Sequence, residues 1–305
     1  MAIKGGFMAN VEQLVKLRQG SKSWQQWRDK NGDVAIDFRA ANLSGFAMKA
    51  ISLAKVNLAH ADLSDSELIA ADLSSADLTK AELVNTCLSD ANLSNSVLQG
   101  AFLIDADLSK ANLIGADLRS THCQRANLSG ANLIGTSMGN SNLNRANLCA
   151  ARLNRTNLSE AYLVKAHGNE ADFSQAILFD AELLDFSGYK ANFYRVKAIS
   201  SHFGSSYLAY ASFVEAELEK ADFRWANLTR ADFSYSNLTK AKLRGAKFLA
   251  ADLKRANLSG ASLRGADLTK ADLRGANLFE ADIEEANFRH TKLQGAIMPD
   301  GSRHD

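Results

Sequence analysis

Apolar and polar positions follow a period of five residues along most of this chain. The stretch 251–278 shows it most clearly, as ADLKR ANLSG ASLRG ADLTK ADLRG ANL. In these blocks a small residue comes first, Asp or Asn second (Ser at 262) and Leu third, and two mostly polar residues follow. With the third residue taken as the centre, this register runs from Phe38 to Met298 without an insertion or a deletion.

A period of five suits neither a continuous helix, which repeats every 3.6 residues, nor a strand, which repeats every two. It is satisfied if each pentad forms one side of a coil and turns a corner at its end. The centre and the small first residue then point inward, and the other three positions point outward. The backbone pairs with the coils above and below, at a spacing of about 4.8 Å. An unbroken repeat of this kind predicts an all-β solenoid.

The repeat resembles that of the pentapeptide-repeat family, whose fold is a right-handed quadrilateral β-helix. The resemblance covers residues 36–298. It implies four pentads to a coil, about thirteen coils in all, and residues twenty apart stacked in neighbouring coils. The four sides and the right hand are implied by the resemblance and do not follow from the spacing.

The pattern divides the chain into a helical cap at residues 1–35, the pentapeptide-repeat β-helix at 36–298 and a C-terminal tail at 299–305. In the predicted cap, Asn10 and Gln13 have the spacing of a capping box, and Gly20 ends the first helix. An apolar stripe is expected on that helix, at Val11, Leu14, Val15 and Leu17.

A second short helix is predicted with Ser23 and Gln26 at capping spacing and with Trp24 and Trp27 on one side. We interpret the helical hairpin as a cover for the open end of the first coil, and a partner-docking module is the alternative. Bulky residues replace the usual Ala in that coil, at Ile36, Phe46, Ile51 and Val56. The segment also resembles the N-terminal caps of cyanobacterial pentapeptide-repeat proteins.

The pattern weakens in the middle of the repeat, where Gly168, Gly188 and Ala198 replace large centres. Four phenylalanines spaced by twenty are expected to form one internal column: Phe173, Phe193, Phe213 and Phe233. Gly168 precedes Phe173 by one pentad and Gly188 precedes Phe193. We therefore expect each ring to take the volume that the neighbouring glycine leaves.

Tyrosines on the outside of the same coils form a candidate partner surface, made of Tyr189, Lys190, Tyr207 and Tyr210. Lys190 and Tyr210 are twenty apart, so a cation–π contact between them is within reach. Exposed tyrosines are typical of protein interfaces. The alternative is that the rings only cover a wall made thin by the two glycines.

Charge is unevenly distributed although the formal net charge is only +1. Residues 57–118 carry ten carboxylates against Lys80 and Lys110, which indicates either a solvated face or a docking surface for a basic partner. Residues 224–274 carry eleven cations against four aspartates. A column of like charges is predicted at Arg224, Arg244 and Arg264, which are spaced by twenty, and it favours binding of an anion or an anionic partner. Glu284 is expected to reduce the repulsion only beside Arg264.

No residue pattern indicates catalysis, a cofactor or a metal, because the histidines are scattered and no serine has a placed base. Three cysteines favour a reducing compartment, and we predict a cytoplasmic protein with Cys123 inert in a core position. We expect no secretory signal, and no apolar run of the sequence is long enough for a membrane span. The sequence therefore predicts a protein that is not an enzyme.

The favoured hypothesis is a rod-like scaffold that binds another protein, in a regulatory role. The alternatives are a DNA mimic that modulates a type II topoisomerase, as some family members do, and a binder of an anionic partner through the basic coils. A nucleic-acid or membrane partner is not expected, and the chain is predicted to be a monomer or a dimer through its C-terminal coil. The ending LQGAIMPDGSRHD resembles cyanobacterial family members, including one linked to heterocyst differentiation.

Overall fold

The computed structural model of the protein describes residues 10–32 and 34–305. The chain forms two compact units, the first ending at Ala146 and the second spanning Asn147–Asp305. Parallel bridges run from Asp37 to Asn142 in the first unit and from Asn147 to Ile297 in the second. The first nine residues of the predicted cap lie outside the described part of the chain.

Within each unit the pentads pair with residues twenty positions away, as Asp62 does with Glu82. Each bridge involves a single residue of a side because a turn follows at once, in which Ala61 N donates to Leu58 O at 3.0 Å. Between coils the centre donates to the following coil, and Leu58 N lies 2.7 Å from Asp77 O. The fold of both units is a β-solenoid that repeats every twenty residues.

The preference for Asp or Asn at the second position has a structural cause. The side-chain oxygen accepts a hydrogen bond from the backbone N–H two residues later, as Asp62 Oδ1 does from Ser64 N at 3.0 Å. Serine at the first position is accommodated in a similar way, since Ser66 Oγ donates to Leu63 O at 2.6 Å. Such local bonds stabilise the turns that separate the sides.

The fifth residue of each pentad turns the corner with a positive φ. Gly260 and Gly265 both have a φ of 64°, as the corner interpretation predicts. Residues other than glycine adopt the same conformation, including Ala250 at 54° and Arg230 at 56°. The corner therefore accepts a Cβ atom.

The first helix, α1 (Val11–Arg18), begins as predicted, because Asn10 Oδ1 accepts a hydrogen bond from Gln13 N at 3.2 Å. The predicted apolar stripe is only partly present, because Leu17 is buried and Leu14 half-buried whereas Val15 is 47% exposed. Gln13 and Leu17 are the buried residues, and Val11 is 70% exposed. Gln13 takes the inner face because its Nε2 donates to Ala35 O at 3.1 Å, so the side chain joins α1 to the entrance of the first coil.

The second helix, α2 (Ser21–Lys30), begins earlier than predicted, with Gly20 as its N-cap at a φ of 94°. The proposed capping by Ser23 is wrong, since its hydroxyl donates to Gln19 Oε1 at 2.8 Å. The pairing of Trp24 with Trp27 is confirmed, with ring centroids 5.5 Å apart.

The second helix covers carbonyl groups of the first coil. The indole of Trp24 is fully buried and donates to Ser52 O at 2.7 Å. Ser21 Oγ donates to Lys49 O at 3.0 Å, and Arg28 donates to Ala54 O at 3.3 Å. These contacts satisfy acceptors that no earlier coil pairs with.

The predicted phenylalanine column is present inside the second unit. The rings of Phe173, Phe193 and Phe213 stack at 4.8 and 4.6 Å, and Phe213 stacks on Phe233 at 4.6 Å. All four side chains are fully buried. A second stack, Phe203 on Phe223 at 4.7 Å, meets this column edge-on.

The expected glycine compensation involves a different ring from the predicted one. A Cβ atom added at Gly168 would lie 2.4 Å from Phe186 Cζ, and one added at Gly188 would lie 2.7 Å from Phe186 Cε1. Phe186 stands at a first position, where Ala is usual, and is fully buried. One oversized first residue therefore fills the volume that both glycine centres leave, so the roles of Phe173 and Phe193 were misassigned.

The C-terminal end of the second unit is only partly covered. Gly301 (φ 83°) turns the chain after Pro299, and Arg303 forms an antiparallel bridge with Ile297. The sequence Asp300-Gly301 thus forms a turn. All four centres of the last coil are partly exposed: Ile283, Phe288, Leu293 and Met298.

Candidate protein-binding surface

The tyrosines that the sequence selected lie on one side of the second unit. Tyr189 is the fourth residue of pentad 186–190, and Tyr207 and Tyr210 belong to pentad 206–210. A parallel bridge between Ser187 and Tyr207 stacks these pentads one coil apart. Their outward positions therefore face the same way.

The three rings form one cluster. The Tyr189 and Tyr207 rings are nearly parallel at 6.2 Å, and Tyr210 meets Tyr189 edge-on at 5.6 Å. Tyr207 and Tyr210 are 46% and 44% exposed, whereas Tyr189 is half-buried between them. Ring pairs at these distances attract each other, so the cluster is ordered before any partner arrives.

The cations of this cluster are paired differently from the prediction. Lys190 Nζ lies 5.3 Å from the ring centroid of its chain neighbour Tyr189. The cation over Tyr210 is Arg230, at 5.6 Å, and its Nη1 donates to the tyrosine hydroxyl at 2.9 Å. Arg230 comes from the coil that follows Tyr210, whereas Lys190 belongs to the coil that precedes it.

The wall beneath the cluster is filled. Gly188 is buried, and a Cβ atom there would meet Phe186 at 2.7 Å and Leu208 Cδ2 at 2.9 Å. The interior behind Tyr189 and Tyr207 therefore contains close-packed apolar atoms, although its centre is a glycine.

The predicted arginine column has carboxylates at both ends. Arg264 contacts Glu284 at 3.1 Å, as expected. The expectation that relief comes only from this end was wrong, because Arg224 binds Asp222 through both Nε and Nη2, the latter at 2.6 Å. Within the described residues only Arg244 of the three has no ion pair.

Asp222 is the most buried carboxylate of this surface, with 6% of its side chain exposed. Burial works to raise the pKa of Asp222, but the hydrogen bonds and charge of Arg224 outweigh it and hold that pKa below its ordinary value. The pair is thus a structural contact, and it removes one cation from the candidate anion column.

The model of the pentapeptide repeat matches this sequence in eight copies. The matched residues are 51–90, 86–122, 126–163, 141–183, 221–260 and 256–295. These ranges cover more than half of the chain. The chain belongs to the pentapeptide repeat family. No curated protein is significantly similar to it.

Several solved pentapeptide repeat proteins are similar to the chain. HetL, involved in heterocyst differentiation regulation in the cyanobacterium Nostoc sp. Strain PCC 7120, is 31% identical over 92% of this chain and 98% of its own, with a TM-score of 0.25. A protein of the Arabidopsis thaliana thylakoid lumen is 30% identical over 33% and 71%, with a TM-score of 0.32. QnrB1, a plasmid-mediated fluoroquinolone resistance protein, is 24% identical over 60% and 90%, with a TM-score of 0.31. Family membership rests on the repeat and not on these superpositions.

Two surface features of this pentapeptide-repeat protein were missed by the sequence analysis. A depression of about 410 Å³ lies beside the ion pair of Arg195 and Glu215, which are 2.6 Å apart and twenty residues apart in sequence. The ion pair could have been predicted from the sequence, because the two opposite charges are twenty residues apart. The second feature is Trp225, a corner residue that is 61% exposed.

The chemistry of the described residues is limited. No group of three or more His, Cys, Asp or Glu side chains there has a geometry that could hold a metal ion. Cys123 is buried, and burial raises the pKa of its thiol to about 11. Neither helix of the described chain has the length and apolar character that a membrane span requires.

Proposed function

We propose that this pentapeptide-repeat protein is a non-enzymatic scaffold that binds another protein in a regulatory role. The proposed binding surface is the cluster of Tyr189, Lys190, Tyr207 and Tyr210. The observation that carries the proposal is the set of three packed tyrosine rings, two of them nearly half exposed, on one side of the solenoid. Tyrosines grouped in this way dominate many protein interfaces.

The filled wall supports an interface over a cover. A cover is needed only where the interior is thin, and Phe186 packs against both glycine centres behind the cluster. A side chain that is not needed for packing still contributes to a partner's binding. Lys190 lies over the Tyr189 ring and Arg230 over the Tyr210 ring, and these contacts stabilise the arrangement of the rings.

The proposal predicts that the variant with Ser at positions 189, 207 and 210 folds but loses its partner. Immobilised wild type and variant would be exposed to an extract of the source organism, and the captured proteins identified by mass spectrometry. Each candidate would then be purified and its affinity measured by calorimetry. The control is Tyr235→Ser, which removes a 56% exposed tyrosine that also carries an arginine, Arg255 at 5.6 Å, from another side.

A triple variant that folds and binds every partner of the wild type would exclude this surface. A triple variant that melts at a much lower temperature, while binding unchanged after correction for folding, would show that the rings are a cover. Loss of binding with Tyr235→Ser as well would point to general rather than local recognition.

The proposal extends to the geometry of the scaffold and its compartment. We infer four sides to each coil and a right hand, which suits the four bridges in every twenty residues. We place the domain boundaries at 1–35, 36–298 and 299–305 and the protein in the cytoplasm, where its three unpaired cysteines are expected to stay reduced.

A second proposal concerns the last coil. Ile283, Phe288 and Leu293 are apolar centres that remain partly exposed, and the described chain places no backbone acceptor on their N–H groups. An exposed apolar edge of this kind favours pairing with another chain. We propose that two copies associate through this coil.

A further inference from the structure

The tyrosine cluster is part of a longer surface, which we call the aromatic side. It consists of the outward positions of four stacked pentads, 186–190, 206–210, 226–230 and 246–250, together with the bordering Trp225. Bridges join these pentads through Ser187, Tyr207, Asn227 and Lys247. Three coil steps give the surface a height of about 14 Å.

Trp225 has an unusual environment at the edge of the aromatic side. Its ring lies against the corner Gly245, where an added Cβ atom would be 2.3 Å from both Cε3 and Cζ3. The indole is nevertheless 61% exposed. Gly245 therefore gives the ring a flat backing, and most of the indole is left for a partner.

The aromatic side also differs from its neighbours in charge. Its twelve outward pentad positions include no carboxylate, while Lys190, Arg230 and Lys247 supply three positive charges. The other three sides of the same coils each include carboxylates, such as Asp222, Glu215 and Glu217. Carboxylates stand just beyond the two ends of the aromatic side, at Glu170, Asp185 and Asp267.

We propose that the partner of the aromatic side is a protein segment in which carboxylates stand beside apolar side chains. This inference rests on the scaffold function proposed above. Tyrosine, tryptophan and arginine are the residue types that contribute most to protein interfaces. The positive charges of Lys190, Arg230 and Lys247, with no carboxylate among the outward positions of the aromatic side, favour an acidic segment and repel a basic one.

The observations favour protein over nucleic acid. Specific DNA-binding proteins neutralise several phosphates, often about six to ten, whereas three cations are spread over this surface. Two of the three, Lys190 and Arg230, lie over tyrosine rings. They contribute to a mixed aromatic and cationic surface rather than to a continuous phosphate track.

The test is a selection of displayed random peptides on the wild-type protein, with prior depletion on the variant that carries Ser at 189, 207 and 210. The recovered peptides are expected to be enriched in Asp and Glu and to retain aromatic or aliphatic residues. Their affinity, measured by fluorescence anisotropy, should fall about tenfold or more with Trp225→Ser. It should also fall with Arg230→Glu and Lys247→Glu combined, and with rising salt.

Two alanine variants supply a matched control. Gly245→Ala should displace the Trp225 ring and weaken peptide binding, because the added Cβ atom would lie 2.3 Å from the ring. The backbone tolerates this change, since Ala250 shows that a corner accepts alanine at a φ of 54°. Gly265→Ala adds the same methyl group at a corner with nothing within 4 Å and should leave binding unchanged. Equal effects of the two substitutions would contradict the role of Trp225.

Peptides that require the tyrosines but show no acidic excess would overturn the inference and leave the scaffold proposal standing. Binding of an oligothymidylate that is lost with Lys247→Glu and displaces the peptides would assign the surface to nucleic acid. Self-association that disappears in the Trp225 variant would assign it to a second copy. The scaffold proposal itself fails separately, if the triple tyrosine variant keeps every cellular partner.

Discussion

At the scale of single residues, the volume of each core position depends on residues twenty away as much as on sequence neighbours. Phe186 illustrates this, because its ring lies beside Gly168 in the preceding coil and Gly188 in its own pentad. An oversized first residue is tolerated since two centres lack side chains. The three positions therefore behave as one packing unit.

We expect Phe186→Ala and Gly188→Leu each to destabilise the protein and the double variant to recover part of the loss. The first leaves a cavity, at a cost of about 3–5 kcal/mol, and the second overpacks the core, at about 1–3 kcal/mol. Together they restore the regular order of a small first residue and a Leu centre. The free energy of unfolding, from chemical denaturation, should deviate from additivity by about 1 kcal/mol or more.

The control for this cycle is Phe186→Ala combined with Leu258→Met, which lies far from Phe186 in sequence and should be additive. Additive effects in the Phe186 and Gly188 cycle would show that the ring and the glycine are packed independently.

A second residue-scale prediction concerns Asp222, whose folded-state pKa is depressed by Arg224. Its stabilisation is present above the ordinary Asp pKa of about 3.9 and is lost as pH falls through the lower folded-state value. Arg224→Ala should cost about 1–3 kcal/mol at pH 7, because a buried carboxylate loses its hydrogen bonds. The difference in melting temperature from the wild type should shrink as the pH falls through the ordinary Asp range toward the lower folded-state pKa, where the wild-type carboxyl becomes protonated.

Arg244→Ala is the matched control, since Arg244 occupies the same column without an ion pair in the described chain. It should change stability little at any pH. A pH-independent loss in Arg224→Ala would indicate that the arginine acts by packing alone.

At the scale of elements, the two helices complete a coil that would otherwise end in open acceptors. Trp24 connects them to the solenoid through its hydrogen bond to Ser52 O and its ring contact with Phe38, at 5.6 Å. A solenoid gains its stability from nearest neighbours, so the loss of an end cover affects the adjacent coil first.

We therefore expect Trp24→Ala to unfold the first coil locally. Amide hydrogen exchange should accelerate at Phe38 and Leu43, which donate to the second coil, while amides of the second unit keep their protection. Trp225→Ala removes a ring of equal size from an exposed corner and should accelerate exchange at neither Phe38 nor Leu43. Uniform acceleration throughout the protein after Trp24→Ala would argue for global rather than local unfolding.

At the scale of the whole molecule, a net charge of +1 conceals strongly charged and weakly charged regions. The two ends also differ in cover. The first coil has its helices, whereas the tail of the last coil reaches back to Ile297 and leaves Phe288 and Leu293 partly exposed.

Self-association is expected to occur through the last coil. The sedimentation coefficient of the wild type should rise with concentration, and Phe288→Lys with Leu293→Lys should abolish that rise because charges oppose edge pairing. Tyr207→Lys, on a side rather than at the end, should leave it intact. A wild type that remains monomeric at high concentration would refute the proposal.

Much of the fold was predictable because the repeat is local. Every pentad repeats the same turn, so the solenoid, the corner glycines, the Asn10 cap and the column from Phe173 to Phe233 could all be predicted from spacing. The helix stripe was partly mispredicted because the buried face of α1 is decided by what it docks on. Periodicity favoured Val11, but a carbonyl at Ala35 selects Gln13.

The candidate site was only partly predictable. Tyr189, Tyr207 and Tyr210 could be grouped because their pentads are twenty residues apart, yet the cation over Tyr210 proved to be Arg230. Whether a side chain contacts the preceding or the following coil depends on its rotamer, which the sequence spacing does not reveal. Trp225 was overlooked for a different reason, because its contact twenty residues away is with Gly245, which has no side chain to mark it.

The sequence by itself determined the period, the inward and outward positions and the stacking of residues twenty apart, because these follow from a backbone turn repeated at fixed intervals. Only the tertiary structure decided which ring fills a vacant centre, which carboxylate pairs with Arg224 and which faces remain open. Those outcomes depend on which of several side chains from different coils occupies a given volume. A periodic pattern specifies the position of each residue but not which side chain fills that volume.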